Sequence, residues 1–538
     1  MKNIIKIIIF LGLFTSSCEK FLEEDNLSSI AAEEFYITAA GYESLINANY
    51  AQLREIYGQE ADLFCAGTDL YGDGRDQGPV GLTEYTSLSP NSPGVELLYT
   101  ECYKAIEYAN MALYYSDLTE HTNKLSQFIG EVKFLRANAY FLLVQTYGGV
   151  GIVTDYIKDP VLEFDRNTAE EVYNLIIQDL KEADTAVSTS SYSGRVNQRA
   201  VKNLLGQVYL TRGYESFGTA SDFTTAAVLF DEVIGGQGLN LTFEELWTPG
   251  NEMNEEVIFS VQFSAASQTA DPNNLGNRQY NYFGPYMGGS EAAGEYPSKT
   301  YTLCPTQFAL DLYDEGDTRW DATFMVQLYK PYYAYWTSDD LSNEDVYYYY
   351  QPKWVTSDSL AKYAAVDTNR IIRPYGSYCS SDLAASLLDF YTIPVKKFED
   401  PSSPFSANGR TSTRDIILAR LGDTYLLAAE AYLKAGNEPT ARTRLNVVRQ
   451  RAGIPDATSI DMDYILDERA RELLGEYHRW FDLKRTGTLV KRASEHNWQI
   501  EESNFDGAGG NLKILRPIPQ DALDLNQNND FTQNPAYQ

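Results

Sequence analysis

The residues in this chain best suited to chemistry are its tyrosines, 41 of them against 24 phenylalanines. They gather in two stretches. Residues 271–301 hold Tyr280, Tyr282, Phe283, Tyr286, Tyr296 and Tyr301 among glycines. Residues 331–354 hold Tyr332, Tyr333, Tyr335, Trp336, Tyr347, Tyr348, Tyr349, Tyr350 and Trp354. A buried core gains little from a ring that carries a hydroxyl, whereas a flat surface that must be both apolar and hydrogen-bonding gains a good deal. Sugars lay C–H faces on aromatic planes and offer hydroxyl edges to Asp, Asn, Arg or Gln. Rings interleaved with polar loop residues therefore suit carbohydrate, with Tyr286 and Trp336 as candidate contacts. The plainer reading is that most of these rings cap the core with their hydroxyls in water. A second candidate is residues 68–77, TDLYGDGRDQ, where Asp69, Asp73 and Asp76 alternate with glycines. The spacing is faintly that of a calcium loop but lacks the twelfth-position glutamate, and a glycine turn explains it as well.

Enzyme chemistry finds little support. The three histidines, His121, His478 and His496, have no H-x-x-x-H or H-E-x-x-H neighbour, and neither a G-x-S-x-G elbow nor a phosphate-binding G-x-x-x-x-G-K-[ST] loop occurs. A glycosidase needs two carboxylates across a bond, and 75 acidic residues leave that rival open. Cys65, Cys102, Cys304 and Cys379 form no C-x-x-C pair, which argues against zinc and leaves disulfides open. No cofactor is expected. A net charge of −32 repels phosphate backbones and argues against nucleic acid.

The amino terminus reads as an export signal. Lys2 and Lys6 flank an apolar run over residues 4–14, followed by Thr15, Ser16, Ser17 and Cys18. The run is well short of the ~20 residues a spanning helix needs. Beyond it, helical periodicity dominates both ends of the chain: residues 35–57, 95–118, 126–147, 168–186 and 199–212 carry apolar residues three and four apart. Thr168 with Glu171 three on predicts a capping box. Leu205-Gly206 with Tyr209, Ala226 and Phe230, and Leu421-Gly422 with Tyr425, Ala441 and Leu445, echo the tetratricopeptide pattern of paired helices. Between residues 239 and 413 periodicity weakens and Gly, Pro, Asn and Ser interrupt the aromatics. This predicts a loop-rich insert with short strands on a mostly α, tetratricopeptide-like scaffold.

Residues 468–487, ERARELLGEYHRWFDLKRTG, give the sharpest signal. Leu466, Ala470, Leu473, Tyr477 and Phe481 predict one apolar stripe on a helix. Arg469, Glu472, Glu476, Arg479, Asp482 and Arg485 predict a charged outer face whose pairs are worth tenths of a kcal/mol each. The wording resembles the C-terminal signature of the SusD/RagB family of outer-membrane glycan-binding lipoproteins. The resemblance extends to residues 131–148 (EVKFLRANAYFLLVQTYG), 255–263 (EEVIFSVQF), 312–324 (LYDEGDTRWDATF), 414–431, 445–453 (LNVVRQRAG), and the tail motifs at 515–519 and 533–537, where Ala536 replaces a usual glycine. It implies a signal peptide over 1–17, a lipidated Cys18 and acidic tether over 18–35, an N-terminal helical region over 36–238, the aromatic insert over 239–413, and a C-terminal helical repeat with closing tail over 414–538. It further implies an outer-membrane, outward-facing receptor that passes oligosaccharides to a SusC-like TonB-dependent transporter, with Asp69, Tyr71 and Arg75 as sugar contacts. A receptor for peptides or another nutrient would use the same scaffold.

Overall fold

The computed structural model describes residues 32–74, 77–264, 276–287, 296–297, 299–379, 390–402 and 412–538. The signal segment, Cys18 and Arg75 lie outside these residues. Six long helices come first, with shorter helical turns between them: α1 (Ala39–Tyr57), α2 (Val95–Ser116), α3 (Leu125–Tyr147), α4 (Ala169–Ala186), α5 (Gln198–Arg212) and α6 (Ala220–Ile234). Short strands follow, β1 (Val257–Val261), β2 (Gln327–Tyr329), β3 (Val346–Tyr350), β4 (Ile371–Arg373) and β5 (Ile416–Arg420). Five further helices close the scaffold: α7 (Leu421–Lys434), α8 (Glu438–Arg451), α9 (Met462–Glu472), α10 (Arg479–Arg485) and α11 (Leu489–His496).

The helices stack in sequence, each of α1 to α6 against the next, and α7 continues the row by packing on α6 and then α8. The tetratricopeptide-like glycines explain the close approaches. A Cβ on Gly206 would stand 2.7 Å from the Phe230 ring, so α5 can meet α6 only with no side chain there. The predicted box at α4 forms, with the Glu171 amide donating to Thr168 Oγ1 at 3.3 Å and the Thr168 amide donating to Glu171 Oε2 at 2.8 Å. Arg136 in the FLRA segment joins three helices. It gives Nε and Nη2 to both oxygens of Asp179 at 2.8 Å each and Nη1 to Asn110 Oδ1 at 2.8 Å.

The insert is clamped where it leaves and returns. β1 and β5 pair antiparallel, Val257 opposite Arg420 and Val261 opposite Ile416, and β5 runs directly into α7. Within the insert β2 and β3 pair antiparallel and β3 and β4 parallel, while Tyr71–Gly72 pairs with Cys304–Pro305.

Residues 468–487 depart from the expectation of one helix with a solvated charged face. The helix breaks between α9 and α10, where Gly475 (φ 80°) and Tyr477 (φ 68°) take left-handed conformations. A Cβ on Gly475 would come within 2.4 Å of the Phe398 ring. The charged residues are interior: Glu472 is 0 % exposed and Arg469 is 2 % exposed. Arg420 reaches Glu472 at 2.6 Å and Glu476 at 2.7 Å; Arg319 reaches Asp317 and Glu468, each at 2.7 Å; Arg469 reaches Asp482 and Asp423, each at 2.8 Å. Lys397 pairs with Glu476, and Gly422 leaves room for Arg420 and Glu472 to meet. Buried pairs of this kind need every partner in place. The insert, through Arg319 and Lys397, is thereby fastened to α9 and the segment after it.

Candidate functional site

The insert's rings divide into an interior and a rim. Tyr332, Tyr333, Tyr348, Tyr349 and Tyr350 are buried, contrary to the expectation that a core would not favour tyrosine. A loop-rich fold leaves many carbonyls without a ladder partner, and a buried phenol supplies the missing donor. Tyr350 Oη donates to the Phe390 carbonyl at 2.8 Å, Tyr378 Oη to that of Gln351 at 2.7 Å, and Tyr313 Oη to that of Arg471 at 2.9 Å. Tyr332 Oη donates to Glu399 Oε1 at 2.7 Å, and Lys299 pairs with the same carboxylate. Burial raises the Glu399 carboxyl above its ordinary range against the pull of Lys299, and burial lowers the Lys299 ammonium.

Tyr286 and Trp336 are half-buried and stand at the ends of one chain of ring and backbone contacts. Trp336 meets Tyr333 edge-on, 5.6 Å between centroids; Tyr333 meets Tyr332 at 5.0 Å; Tyr332 meets Tyr296 at 6.2 Å; and Tyr296 meets Phe390 at 5.0 Å. The Phe390 amide donates to the Tyr286 carbonyl at 2.7 Å, and Tyr286 meets Tyr301 at 5.1 Å. Phe390 (φ 55°) and Tyr301 (φ 48°) hold left-handed backbone conformations. Such a conformation costs an aromatic residue on the order of 1–3 kcal/mol and persists where the surroundings impose it. The structure therefore brings these two predicted residues into one network.

The loop after α1 has a different character. Asp69 is fully buried and its carboxylate is held by Arg479 and Arg492, while Tyr71 is 2 % exposed and packs on Phe283 with centroids 5.3 Å apart. In this conformation neither side chain presents a surface to a ligand. Asp73 accepts from the Gly78 amide at 3.1 Å and from Gln499 Nε2 at 3.0 Å. Asp62 lies beside it, its carboxyl pushed up to about 8 by burial and then by Glu60 and Asp73. Cys65, Cys102 and Cys304 are buried thiols outside any disulfide.

One residue at this loop escaped the sequence reading. Trp498, beyond the end of α11, is 45 % exposed. A lone tryptophan in an aperiodic stretch carries no pattern, and the signal lay in its amide neighbours, Asn497 and Gln499. A crevice of about 580 Å³ lies elsewhere, between α2 and the closing tail, lined by Tyr103, Ile106, Val153, Leu162, Leu525 and Phe531 among others, and none of the predicted contacts borders it.

A family model described as "SusD family" matches residues 255–537, and one described as "Starch-binding associating with outer membrane" matches residues 21–210. A SusD-like protein of Formosa agariphila is 24 % identical, covering 98 % of this chain and 97 % of its own. The starch-binding protein SusD of Bacteroides thetaiotaomicron is 23 % identical over 84 % of this chain and 80 % of its own. Among solved structures, a laminarin-binding SusD-like protein superposes with a TM-score of 0.70 at 25 % identity, covering 93 % of this chain and all of its own.

Proposed function

This chain belongs to the SusD family, and we propose that it is an outer-membrane receptor that captures oligosaccharides without cleaving them and passes them to a SusC-like TonB-dependent transporter. Cys18 carries the lipid anchor in this reading, and the protein faces the cell exterior. The observation that carries the proposal is the linked network from Tyr286 to Trp336: two half-buried rings set on an insert whose interior is fixed by buried phenols and ion pairs. Rings pre-organised in this way lose little freedom when a sugar face stacks on them. Starch and laminarin, the ligands named for relatives of this chain, are both neutral glucans, which supports a glycan over a peptide. Arg75 remains a proposed contact. Asp69 and Tyr71 serve the site from beneath, by fixing the loop that carries it.

The test is retention of the purified full chain on a panel of polysaccharides that includes starch, laminarin and xyloglucan, with reducing ends assayed in parallel. Retention without new reducing ends is expected. Released sugar would make the protein a glycosidase, and failure to bind any glycan would turn the reading toward peptides.

A further inference from the structure

Residues 397–400 are four consecutive buried side chains with four different destinations. Lys397 pairs with Glu476, in the segment after α9, and Phe398 packs on Trp247 with centroids 5.4 Å apart. Asp400 Oδ2 accepts from Ser412 Oγ at 2.7 Å and from the Thr413 amide at 3.1 Å, close to the start of β5. Glu399 reaches into the insert, while its backbone is gripped at the neck where the insert returns. Arg414, two residues before β5, donates Nη1 to the Glu399 carbonyl and Nη2 to the Trp247 carbonyl, each at 2.8 Å. Its Nε is held by Glu252 at 2.6 Å, on the stretch that leads into β1.

The Glu399 carboxylate is shared among three donors. Oε1 accepts from Tyr332 Oη at 2.7 Å and from Lys299 Nζ, and Oε2 accepts from Tyr333 Oη at 3.3 Å. Lys299 is tied in turn to the Tyr280 carbonyl at 2.7 Å. Two consecutive phenols thus converge on one buried anion, although neither ring needs its hydroxyl to fill space. Hydrogen bonds to a charged group are worth more than neutral ones, so the far ends of both rings are pinned and not merely packed. From Tyr333 the anchorage reaches the rim. The Tyr333 carbonyl accepts the Trp336 amide at 2.9 Å at the head of the short turn Ala334–Thr337, and its ring meets the indole edge-on. A chain of three contacts therefore runs from Arg414 at the neck, through Glu399 and Tyr333, to the half-buried Trp336.

We infer that Glu399 is a positioning residue for the ligand rim: through the hydroxyls of Tyr332 and Tyr333 it fixes the turn that carries Trp336 relative to the β1–β5 pair. The inference rests on the receptor reading above and adds the device that references the rim to the helical scaffold. A glycan arriving at Trp336 then meets a ring whose orientation is set before binding, which lowers the entropy lost in the complex.

The test is calorimetric titration of the full chain with soluble starch, laminarin and xyloglucan. Glu399→Gln would also strip Lys299 of its buried anion, so the hydroxyls are the cleaner target. The double variant Tyr332→Phe/Tyr333→Phe keeps both rings and removes both hydroxyls. It should weaken the glycan that wild type binds about 10-fold, the factor one hydrogen bond commonly carries. Tyr378→Phe deletes a different buried phenol of the insert, the one bonded to the Gln351 carbonyl, and should bind as wild type does. In a Trp336→Ala background the loss from the tyrosine pair should vanish, because a positioning group acts only through the ring it positions. A tyrosine-pair variant that binds as wild type does, one whose loss persists without Trp336, or a Tyr378→Phe protein that loses as much affinity overturns the positioning role and leaves the receptor reading standing. A wild type that binds none of the three polysaccharides overturns both.

Discussion

Arg479 donates Nε and Nη2 to the two carboxylate oxygens of Asp69, at 2.7 and 2.5 Å, across 410 residues of chain. The loop after α1 and the start of α10 are thus held as one piece, and Arg492 adds a third contact to the same carboxylate at 3.1 Å. Burial by itself would raise the Asp69 carboxyl, but the two guanidiniums outweigh it and hold the group below its ordinary range. Asp69→Asn leaves two buried cations short of an anion, at a cost of about 3–5 kcal/mol. Urea unfolding should show that loss. A variant of full stability that had lost only its sugar affinity would return Asp69 to the ligand site.

Acid should dismantle the junction of α9 and α10. Burial works against the charged forms of Glu472 and Asp482, yet the arginines around them win: Arg451, Arg420 and Arg319 lower Glu472, and Arg469 and Arg485 hold Asp482 at about 2. A carboxyl whose folded value lies below its unfolded value near 4 contributes stability that is complete above about pH 5 and disappears as pH falls toward 2. The melting temperature should therefore drop steeply below pH 4. A midpoint that held steady down to pH 2 would show these pairs to be idle.

Asp62 has the opposite sign. It is 3 % exposed and its carboxyl is pushed up to about 8, so the folded state keeps a proton that the unfolded chain has already released. Its contribution falls as pH rises from about 4 to 8. Asp62→Asn removes the ionisable group while keeping the shape. Its stability advantage over wild type should be small at pH 4 and grow to pH 8.5, approaching 5 kcal/mol as an order of magnitude. Equal advantages at both pH values would mean that Asp62 is ionised throughout.

Much of the scaffold was legible because helices announce themselves locally. Thr168 and Glu171 specify their box within four residues, and Gly206 needs only the ring of Phe230 to explain it. The segment 312–324 was legible as a motif but not as a mechanism. That Arg319 binds Glu468, 149 residues on, depends on a fold that brings the insert onto α9. Charges three apart on a helix look the same whether they face water or the interior, so Arg469, Glu472 and Asp482 read as a surface. The rings misled for a related reason. Composition counts tyrosines but not the carbonyls they satisfy, and Tyr350 became visible as a core residue only through its bond to Phe390. Trp498 had no periodic neighbours to announce it.

Two tryptophans should separate binding from folding. Trp480 is 2 % exposed, gives its Nε1 to Tyr85 Oη at 3.1 Å and lies under the guanidinium of Arg516, 4.8 Å from the ring centroid. Truncating it to alanine opens a cavity at the point where the closing tail meets α10, a loss of about 3–5 kcal/mol. Trp336 is half-buried at the end of its network, and removing it exposes the edge of Tyr333 without emptying the core. Trp336→Ala should weaken glycan binding by about 1–3 kcal/mol while the urea midpoint stays within the range of ordinary surface changes, about 0.5 kcal/mol. Calorimetry and unfolding on the two variants make the comparison. If Trp336→Ala binds sugar normally, stacking at the insert is not how the ligand is held. If Trp480→Ala loses affinity at full stability, α10 belongs to the site and not to its support.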